Sequence, residues 1–286
     1  MNRRSTDGFV AVTNLTERLE DRHSARPDPP AEPPSWRGDR DVRGVSLLTA
    51  DPDLGRRLPE DQFEQAQRGA VLAAVTLSPG RWEPDQLGDS AAVRGEIRGF
   101  FVLSGVVMTE VSIASRTCMR LLAPQEIVLI GATDGSLPAS WGWSVLKAAQ
   151  IAVLDDRLLI IARRWPQLVI ALLERAGRQS QSALLQQAIS QLPRAEDRLL
   201  ALLWSIADRW GTVRADGVWV GLPLTHEALA QMIGARRPTV TLGLRALVNQ
   251  GLLTADKDGW LIDHASLEVI LRHNRTDSPH PAAPSD

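Results

Sequence analysis

Two short helices joined by a glycine are predicted between Leu224 and Leu253, where the sequence is LTHEALAQMIGARRPTVTLGLRALVNQGLL. Thr225 is a favourable N-cap for the first helix, because its hydroxyl can accept a hydrogen bond from a free backbone N–H of the first turn. Gly234 can adopt the left-handed conformation that a tight turn needs. Pro238 suits the first turn of the second helix, where a missing N–H costs little. Two helices joined in this way form a helix-turn-helix unit.

The second helix of such a unit enters the DNA major groove and places its first residues against base edges. Arg237 is expected to pair with guanine O6 and N7, and Arg236 with a phosphate. Thr239 and Thr241 are expected to contact phosphate oxygens or a thymine methyl. The predicted DNA-binding residues are Thr225, Arg236, Arg237, Pro238, Thr239, Thr241 and Arg245.

A β-hairpin is predicted directly after these helices. The apolar runs Leu252–Ala255 and Trp260–Ile262 flank Asp258-Gly259, and Asp-Gly between apolar runs is a strong hairpin signal. A strand at Val218–Val220 would complete a small sheet. Together these elements predict a winged helix-turn-helix domain at residues 193–273. The simpler alternative, a helical hairpin with an exposed basic turn, leaves the hairpin at this distance unexplained.

Residues 41–162 predict a β domain, because short apolar runs alternate with turn residues. The runs are Val71–Leu77, Gly99–Leu103, Val106–Ile113, Met119–Leu122 and Glu126–Ile130. Several short strands separated in this way are typical of a sandwich or barrel. The pattern alone does not distinguish a sensor domain from a generic β domain.

A long helix is predicted at residues 163–192, between Pro166 in its first turn and Pro193 beyond its end. Apolar residues recur there at spacings of three, four or seven, which predicts one apolar face. They are Trp165, Leu168, Val169, Leu172, Leu173, Ala176, Ala183, Leu184 and Ile189. Such a face packs either against a second copy of the helix, as a homodimer, or against the rest of its own chain.

The ends of the chain and its composition limit the remaining possibilities. Residues 1–40 and 274–286 are rich in proline and polar residues, which predicts a disordered leader and a disordered tail. No apolar stretch is long enough to span a bilayer, and no secretory signal is evident. Cys118 is the one cysteine, so no intrachain disulfide can form, and we expect a cytoplasmic protein in which this thiol is buried and inert.

No motif of an enzyme is present. The sequence contains no P-loop, no dinucleotide-binding fingerprint and no G-x-S-x-G elbow. The five histidines do not show metal-ligand spacing. We therefore expect neither catalysis nor a cofactor nor a metal. The net charge of −2 excludes a chain that is basic throughout but allows a small DNA-binding surface.

The Leu224–Leu253 stretch resembles the DNA-binding domain of the Crp/Fnr superfamily, the bacterial cAMP receptor protein and its relatives. The run Gly99–Leu122 followed by Pro124-Gln125-Glu126 is similar to that family's cyclic-nucleotide-binding jelly roll. The resemblance implies an α+β chain with an N-terminal jelly roll, a long dimerisation helix and a C-terminal winged helix-turn-helix. It also implies a homodimer that binds near-palindromic DNA.

The cyclic-nucleotide site of that family is degenerate in this sequence. Relatives that bind cAMP have a Gly-Glu-Leu cassette and an arginine for the cyclic phosphate, whereas the matching stretch Gly131–Val145 has no arginine. The resemblance therefore predicts that this chain does not bind cAMP. Trp141 and Trp143 are expected to fill the pocket, by core packing or by stacking on another ligand. The candidate effector residues are Gly131, Trp141, Trp143, Ser180 and Ser182.

The recognition helix also departs from the family pattern. Arg237-Pro238-Thr239 stands where many relatives have Arg-Glu-Thr, and the lost glutamate would have accepted from cytosine N4. The preferred DNA sequence should therefore differ. Gly243 occupies a position where an apolar residue is usual, at a cost of about 1 kcal/mol in helix propensity relative to alanine.

These features predict a homodimeric, sequence-specific transcription regulator that binds double-stranded DNA. One alternative is a regulator controlled by a cyclic nucleotide or another small molecule through unfamiliar contacts. A second is an interaction scaffold that uses the winged helix for protein contacts. Activation of transcription would require a surface for RNA polymerase, and no sequence motif marks one. No membrane contact is expected.

Overall fold

The computed structural model describes residues 42–88, 90, 93–130, 137–256 and 259–269. The predicted leader, the predicted tail and Gly131 lie outside these ranges. The strands are β1 (Val42–Ser46), β2 (Val71–Leu77), β3 (Gly80–Trp82), β4 (Gly99–Ile113), β5 (Arg116–Leu122), β6 (Ile127–Leu129), β7 (Ala139–Leu154), β8 (Gly211–Arg214), β9 (Gly217–Val220), β10 (Leu253–Asp256) and β11 (Gly259–Ile262). The helices are α1 (Leu47–Ala50), α2 (Glu60–Gly69), α3 (Arg157–Arg164), α4 (Pro166–Gln191), α5 (Ala195–Trp210), α6 (His226–Met232) and α7 (Arg237–Asn249).

The N-terminal sheet is antiparallel, in the order β1-β2-β7-β4-β5, with β3 paired to β7 and β6 paired to β4. Two strands predicted at 99–103 and 106–113 form the single strand β4. Its pairing with β7 shifts register between Val102 and Val107. Gly105 has φ +84 at this irregularity, and a Cβ there would lie 2.2 Å from the Ala148 carbonyl oxygen. The glycine therefore allows a bulge where the sequence suggested a turn.

The sheet buries apolar side chains on both of its faces. In the apolar cluster on one face of the sheet, the rings of Trp82 and Phe100 meet edge-on at a centroid distance of 5.1 Å. Another cluster unites Phe101 of the sheet with Leu47 of α1 and Leu168 of α4. The start of the long helix is thereby anchored to the sheet.

The helix predicted at residues 163–192 is interrupted near its start, at Trp165. The chain leaves α3 at Trp165, whose φ of −135 and ψ of 76 are not helical, and α4 begins at Pro166. A residue before proline is disfavoured in the helical region, which explains the break. Residues 166–191 of the helix predicted at 163–192 form α4.

The prediction of one apolar face on this helix is wrong, because its apolar residues lie on nearly opposite sides. Leu168, Leu172 and Ile189 are buried against the chain's own core. Leu173 and Leu184 are 63% and 65% exposed. The prediction grouped these residues because neighbouring members are three, four or seven positions apart. Over the length of α4, however, the helical repeat of 3.6 residues places them on two different sides of the helix.

The C-terminal region forms the predicted winged helix-turn-helix. Its antiparallel sheet has the order β10-β11-β9-β8, with Asp256 opposite Gly259 in the wing hairpin. Strand β8, which begins at Gly211 where α5 ends, was not predicted from the sequence. The α+β architecture of an antiparallel sheet domain, helices and a C-terminal helix-turn-helix is confirmed.

Candidate nucleic-acid interface

The helix-turn-helix forms through the local signals that the sequence contains. Thr225 Oγ1 accepts a hydrogen bond from the backbone N–H of Ala228 at 3.1 Å, so the predicted N-cap is confirmed. Gly234 has φ +65, and the N–H of Ala235 donates to the carbonyl of Ala230 at 2.9 Å. This closed turn fixes the angle between α6 and α7.

Helix α7 is held by a buried apolar face. Val240, Leu244 and Leu247 pack into one core with residues of α5 and α6. Gly243 lies on the same face, and a Cβ built on it would approach Leu199 Cδ1 of α5 to 2.8 Å. The glycine that looked unfavourable in the sequence allows α5 and α7 to pack closely.

The opposite face of α7 is open. Arg236 at its N-cap, and Arg237, Pro238, Thr239 and Arg245 within it, are exposed, as is the N-cap residue Thr225 of α6. The thirteen residues of α7 include no acidic side chain. The structure therefore brings six of the seven predicted DNA-binding residues to the surface around the exposed side of α7. No carboxylate of α7 opposes the positive charge of the three arginines among them.

Thr241 is the exception among the predicted residues, since its side chain is half-buried. Its Oγ1 donates to the Arg237 carbonyl at 3.1 Å and lies 3.0 Å from Nδ1 of His226. Thr241 thus joins the start of α6 to the first turn of α7. Sequence reasoning missed His226, because a contact between residues fifteen apart in different helices has no periodic signal.

The sheet domain and the helix-turn-helix share buried contacts. Val106 and Leu121 of the sheet belong to the same core as Leu229 and Met232 of α6. The Gln186 Nε2 of α4 donates to the Met119 and Met232 carbonyls at 3.3 and 3.5 Å. The helix-turn-helix domain is therefore packed against β4 and β5.

An ion-pair network lies at the same junction. Glu126, which follows β5, accepts from Arg209 of α5 at 2.9 Å and from Arg120 of β5 at 3.5 Å. The three side chains are between 13% and 21% exposed. Burial lowers the pKa of Arg120, and the neighbouring Glu126 carboxylate opposes that change.

A cavity of about 680 Å³ separates β5, α4 and the turn between α6 and α7. Its lining includes Cys118, Gln186 and Gln231, and the Gln231 Oε1 is buried without a hydrogen-bond partner among the described residues. The expectation of a buried Cys118 is wrong: it is exposed on β5, which is the edge strand of its sheet. Partial desolvation of the thiol raises its pKa.

The described members of the predicted effector site make separate contacts. Trp143 packs edge-on against Trp82 at 5.9 Å, whereas Trp141 is half exposed. The hydroxyls of Ser180 and Ser182 donate to carbonyls one turn earlier in their own helix. The contact with Trp82 favours core packing for Trp143 over ligand stacking.

The described ranges contain neither a membrane-spanning helix nor a cluster of metal-binding side chains. No helix there has the length and apolar character needed to cross a membrane. No group of three or more His, Cys, Asp and Glu side chains in the same part of the chain could hold a metal ion.

Comparison with known proteins locates the resemblance in the C-terminal third. Residues 197–270 match the family model described as the Crp-like helix-turn-helix domain. No curated protein matches the chain.

Solved structures of low sequence identity share the fold. A cyclic nucleotide-binding domain containing protein from Listeria monocytogenes has a TM-score of 0.54 at 16% identity, covering 76% of this chain and 98% of that one. A CooA mutant from Carboxydothermus hydrogenoformans has a TM-score of 0.53 at 16% identity, with coverages of 84% and 99%. The transcriptional regulator TTHB099 of the CRP family, from Thermus thermophilus, has a TM-score of 0.50 at 21% identity, with coverages of 62% and 90%. Residues 197–270 therefore form a Crp-like helix-turn-helix domain, and the chain shares its fold with these solved structures.

Proposed function

We propose that this chain is a sequence-specific DNA-binding transcription regulator that acts as a cytoplasmic homodimer. The observation that carries the proposal is the open face of α7, on which Arg237, Thr239 and Arg245 are exposed and no acid is present. A helix that presents cations and short polar side chains in this way suits the phosphates and base edges of the major groove.

The dimer is inferred from the outward face of α4. Seven exposed residues follow one another at alternating spacings of three and four, which is the spacing of a coiled-coil seam. They are Ile170, Leu173, Gly177, Ser180, Leu184, Gln187 and Gln191. A Cβ on Gly177 would meet nothing within 4 Å, so space for a second helix is open at that point.

Two-fold pairing of α4 would give the assembly two copies of α7. In dimeric helix-turn-helix proteins the two recognition helices enter successive major grooves on one side of the duplex, about 34 Å apart. The preferred site should then be a near-palindrome. Loss of the glutamate at position 238 predicts half-sites that differ from those of relatives with Arg-Glu-Thr.

The first test is selection of bound duplexes from a random pool by the purified full-length protein, with and without cAMP. We expect the same enriched palindrome in both arms. Arg237→Ala should abolish specific binding and leave thermal unfolding unchanged, whereas Arg163→Ala, an exposed arginine of α3, should bind normally. Equal affinity of Arg237→Ala and wild type for the selected site would refute the assignment of α7.

Dimerisation has its own test. Arginine at both Leu173 and Leu184 should convert the protein to a monomer in sedimentation experiments, since it places charges in the seam. Leu185→Arg provides a matched control, because Leu185 is 57% exposed on the same helix but lies outside the three-four spacing. A wild-type monomer at micromolar concentration, or an unchanged dimer in the double variant, would contradict the proposed seam.

A second candidate function is control by a small molecule, and the cavity between β5, α4 and α6 favours it. Its volume lies within the range of ligand sites, and the unpaired Gln231 Oε1 could accept a hydrogen bond. A ligand there would contact both the sheet domain and the helix-turn-helix. A shift of several degrees in thermal unfolding with one member of a panel of cyclic nucleotides would support effector control, and Gln231→Ala should remove the shift if the ligand lies in this cavity.

A further inference from the structure

Leu242 is an exposed apolar residue at the centre of the open face of α7. Its relative exposure is 65%, although leucine is normally buried. Pro238 precedes it by four residues and Arg245 follows it by three, so all three side chains lie along one line of the helix surface. Leu242 was not among the residues predicted to bind DNA, and a leucine in an amphipathic helix is ordinarily found on the core side.

The core side of α7 is already filled by other residues. Val240, Gly243, Leu244 and Leu247 are buried there. Leu242 lies between these positions in sequence. Because successive residues of a helix are rotated by about 100°, its side chain lies on the opposite side of α7. The leucine is therefore not part of the α7 core.

The chemistry of the major groove supplies a partner for this side chain. Base edges present hydrogen-bond donors and acceptors, and the C5-methyl of thymine is the apolar group among them. Leu242 lies one turn beyond Pro238, close to the N-terminal end of α7 that faces the bases in a helix-turn-helix complex. Pro238 also lacks a polar side chain, so the two residues form an apolar strip bordered by Arg237 and Arg245.

We propose that the Pro238–Leu242 strip recognises thymine methyl groups, and that Leu242 is a specificity-determining residue of this protein. This inference rests on the proposed function and identifies the base feature that the helix selects. The bordering arginines favour a polyanion over an apolar protein surface, because burying them against apolar groups would leave their charges unpaired. The half-site should therefore contain one or more thymines that the protein contacts through their methyl groups.

The test compares thymine with uracil at each position of the selected operator, since uracil pairs identically and lacks only the methyl. For wild type, uracil at one or two positions per half-site should weaken binding about fourfold each, as expected for loss of one buried apolar carbon. Leu242→Ala should bind the thymine operator more weakly and should not distinguish thymine from uracil at those positions. Leu185→Ala, an exposed leucine of α4, should retain the full discrimination.

The outcomes separate this inference from the proposed function. A wild-type protein that binds a specific operator but tolerates uracil everywhere would overturn the role of the strip and leave the regulator assignment intact. If Leu242→Ala unfolds like wild type and still distinguishes thymine from uracil, another residue recognises the methyl groups. That result would also overturn the role proposed for Leu242. If no specific operator emerged, the proposed function and this inference would both fail.

Discussion

Gly243 of α7 faces Leu199 of α5 so closely that a Cβ on the glycine would lie 2.8 Å from Leu199 Cδ1. Leu199 is fully buried, so its side chain has little room to move away. The distance between α5 and α7 therefore depends on the absence of a side chain at position 243. This contact helps to set the orientation in which α7 is presented to solvent.

Alanine at the two helical glycines should separate packing from helix propensity. In the monomeric Leu173→Arg/Leu184→Arg background, Gly177→Ala should raise the free energy of unfolding by up to about 1 kcal/mol, because no atom of its own chain lies within 4 Å of the new Cβ. Gly243→Ala should be less stable than Gly177→Ala by about 1–3 kcal/mol, since overpacking offsets the gain in propensity. Urea unfolding at one protein concentration measures both, and equal effects would show that Leu199 does not restrict position 243.

Asp155 should stabilise the fold more at neutral than at acidic pH. Burial raises the pKa of this carboxyl, but hydrogen bonds from the Arg157 side chain and from the N–H groups of Arg94 and Arg157 outweigh it, so the pKa is lowered. A depressed carboxyl pKa contributes stability above the unfolded value, near pH 4, that is lost as pH falls through the folded value. Asp155→Asn should therefore be less stable than wild type at pH 7, with a difference that shrinks below pH 4.

Asp51 should show the opposite pH dependence, although it too is paired with an arginine. Burial raises its pKa more than Arg175 lowers it, and its Oδ1 has no partner among the described residues. A raised carboxyl pKa weakens folding as pH increases through the unfolded value. Relative to wild type, Asp51→Asn should gain stability between pH 3 and pH 7, and a gain confined to acidic pH would contradict this assignment.

Removing the charge of Glu126 should loosen the junction between the sheet domain and the helix-turn-helix. Glu126→Gln leaves Arg120 and Arg209 without their carboxylate, which should lower the free energy of unfolding by about 1–2 kcal/mol for a partly exposed network. It should also speed proteolysis between α4 and α5. As a control, Glu64→Gln breaks an exposed pair with Arg68 and should cost about 0.5 kcal/mol or less. Equal costs for the two variants would argue against a role of Glu126 at the junction.

The thiol of Cys118 should react completely with a disulfide reagent, but only at a pH higher than an ordinary cysteine requires. The thiol is exposed, so an aromatic disulfide reagent can reach it in the native protein, and partial desolvation raises its pKa. The reaction rate should rise with a midpoint above the ordinary cysteine value of about 8.5. Unfolding in urea should move the midpoint back towards that value. A native midpoint at or below it would show that the thiol is not desolvated.

Local signals in the sequence were sufficient to predict the helix-turn-helix. The N-cap at Thr225, the left-handed turn at Gly234 and the wing hairpin each depend on residues close together in the chain. The failures concern contacts between distant residues. The bulge at Gly105 depends on pairing with β7, the pair Glu126–Arg209 spans 83 positions, and the separation of the two α4 faces depends on what packs against each.

In the candidate site, too, features set by local sequence were predictable and contacts between distant residues were not. Exposure of Arg237 and Thr239 was predictable from their positions at the start of an amphipathic helix. The contact of Thr241 with His226 depends on how α6 crosses α7, and the exposure of Leu242 depends on which face of α7 the core occupies. Leu242 is apolar but lies on the open face, because other residues of α7 fill the core.

The central claim is that two copies of α7, held by the α4 seam, bind one face of the duplex. Its most direct test measures affinity for the selected operator after insertion of about five base pairs, half a helical turn, between the two half-sites. The account predicts a loss of at least about a hundredfold, because the second half-site is rotated out of reach and binding becomes that of one half. An equal-length spacer of altered sequence should change little. Unchanged affinity after the insertion would show that each chain binds its half-site independently and would contradict the dimeric account.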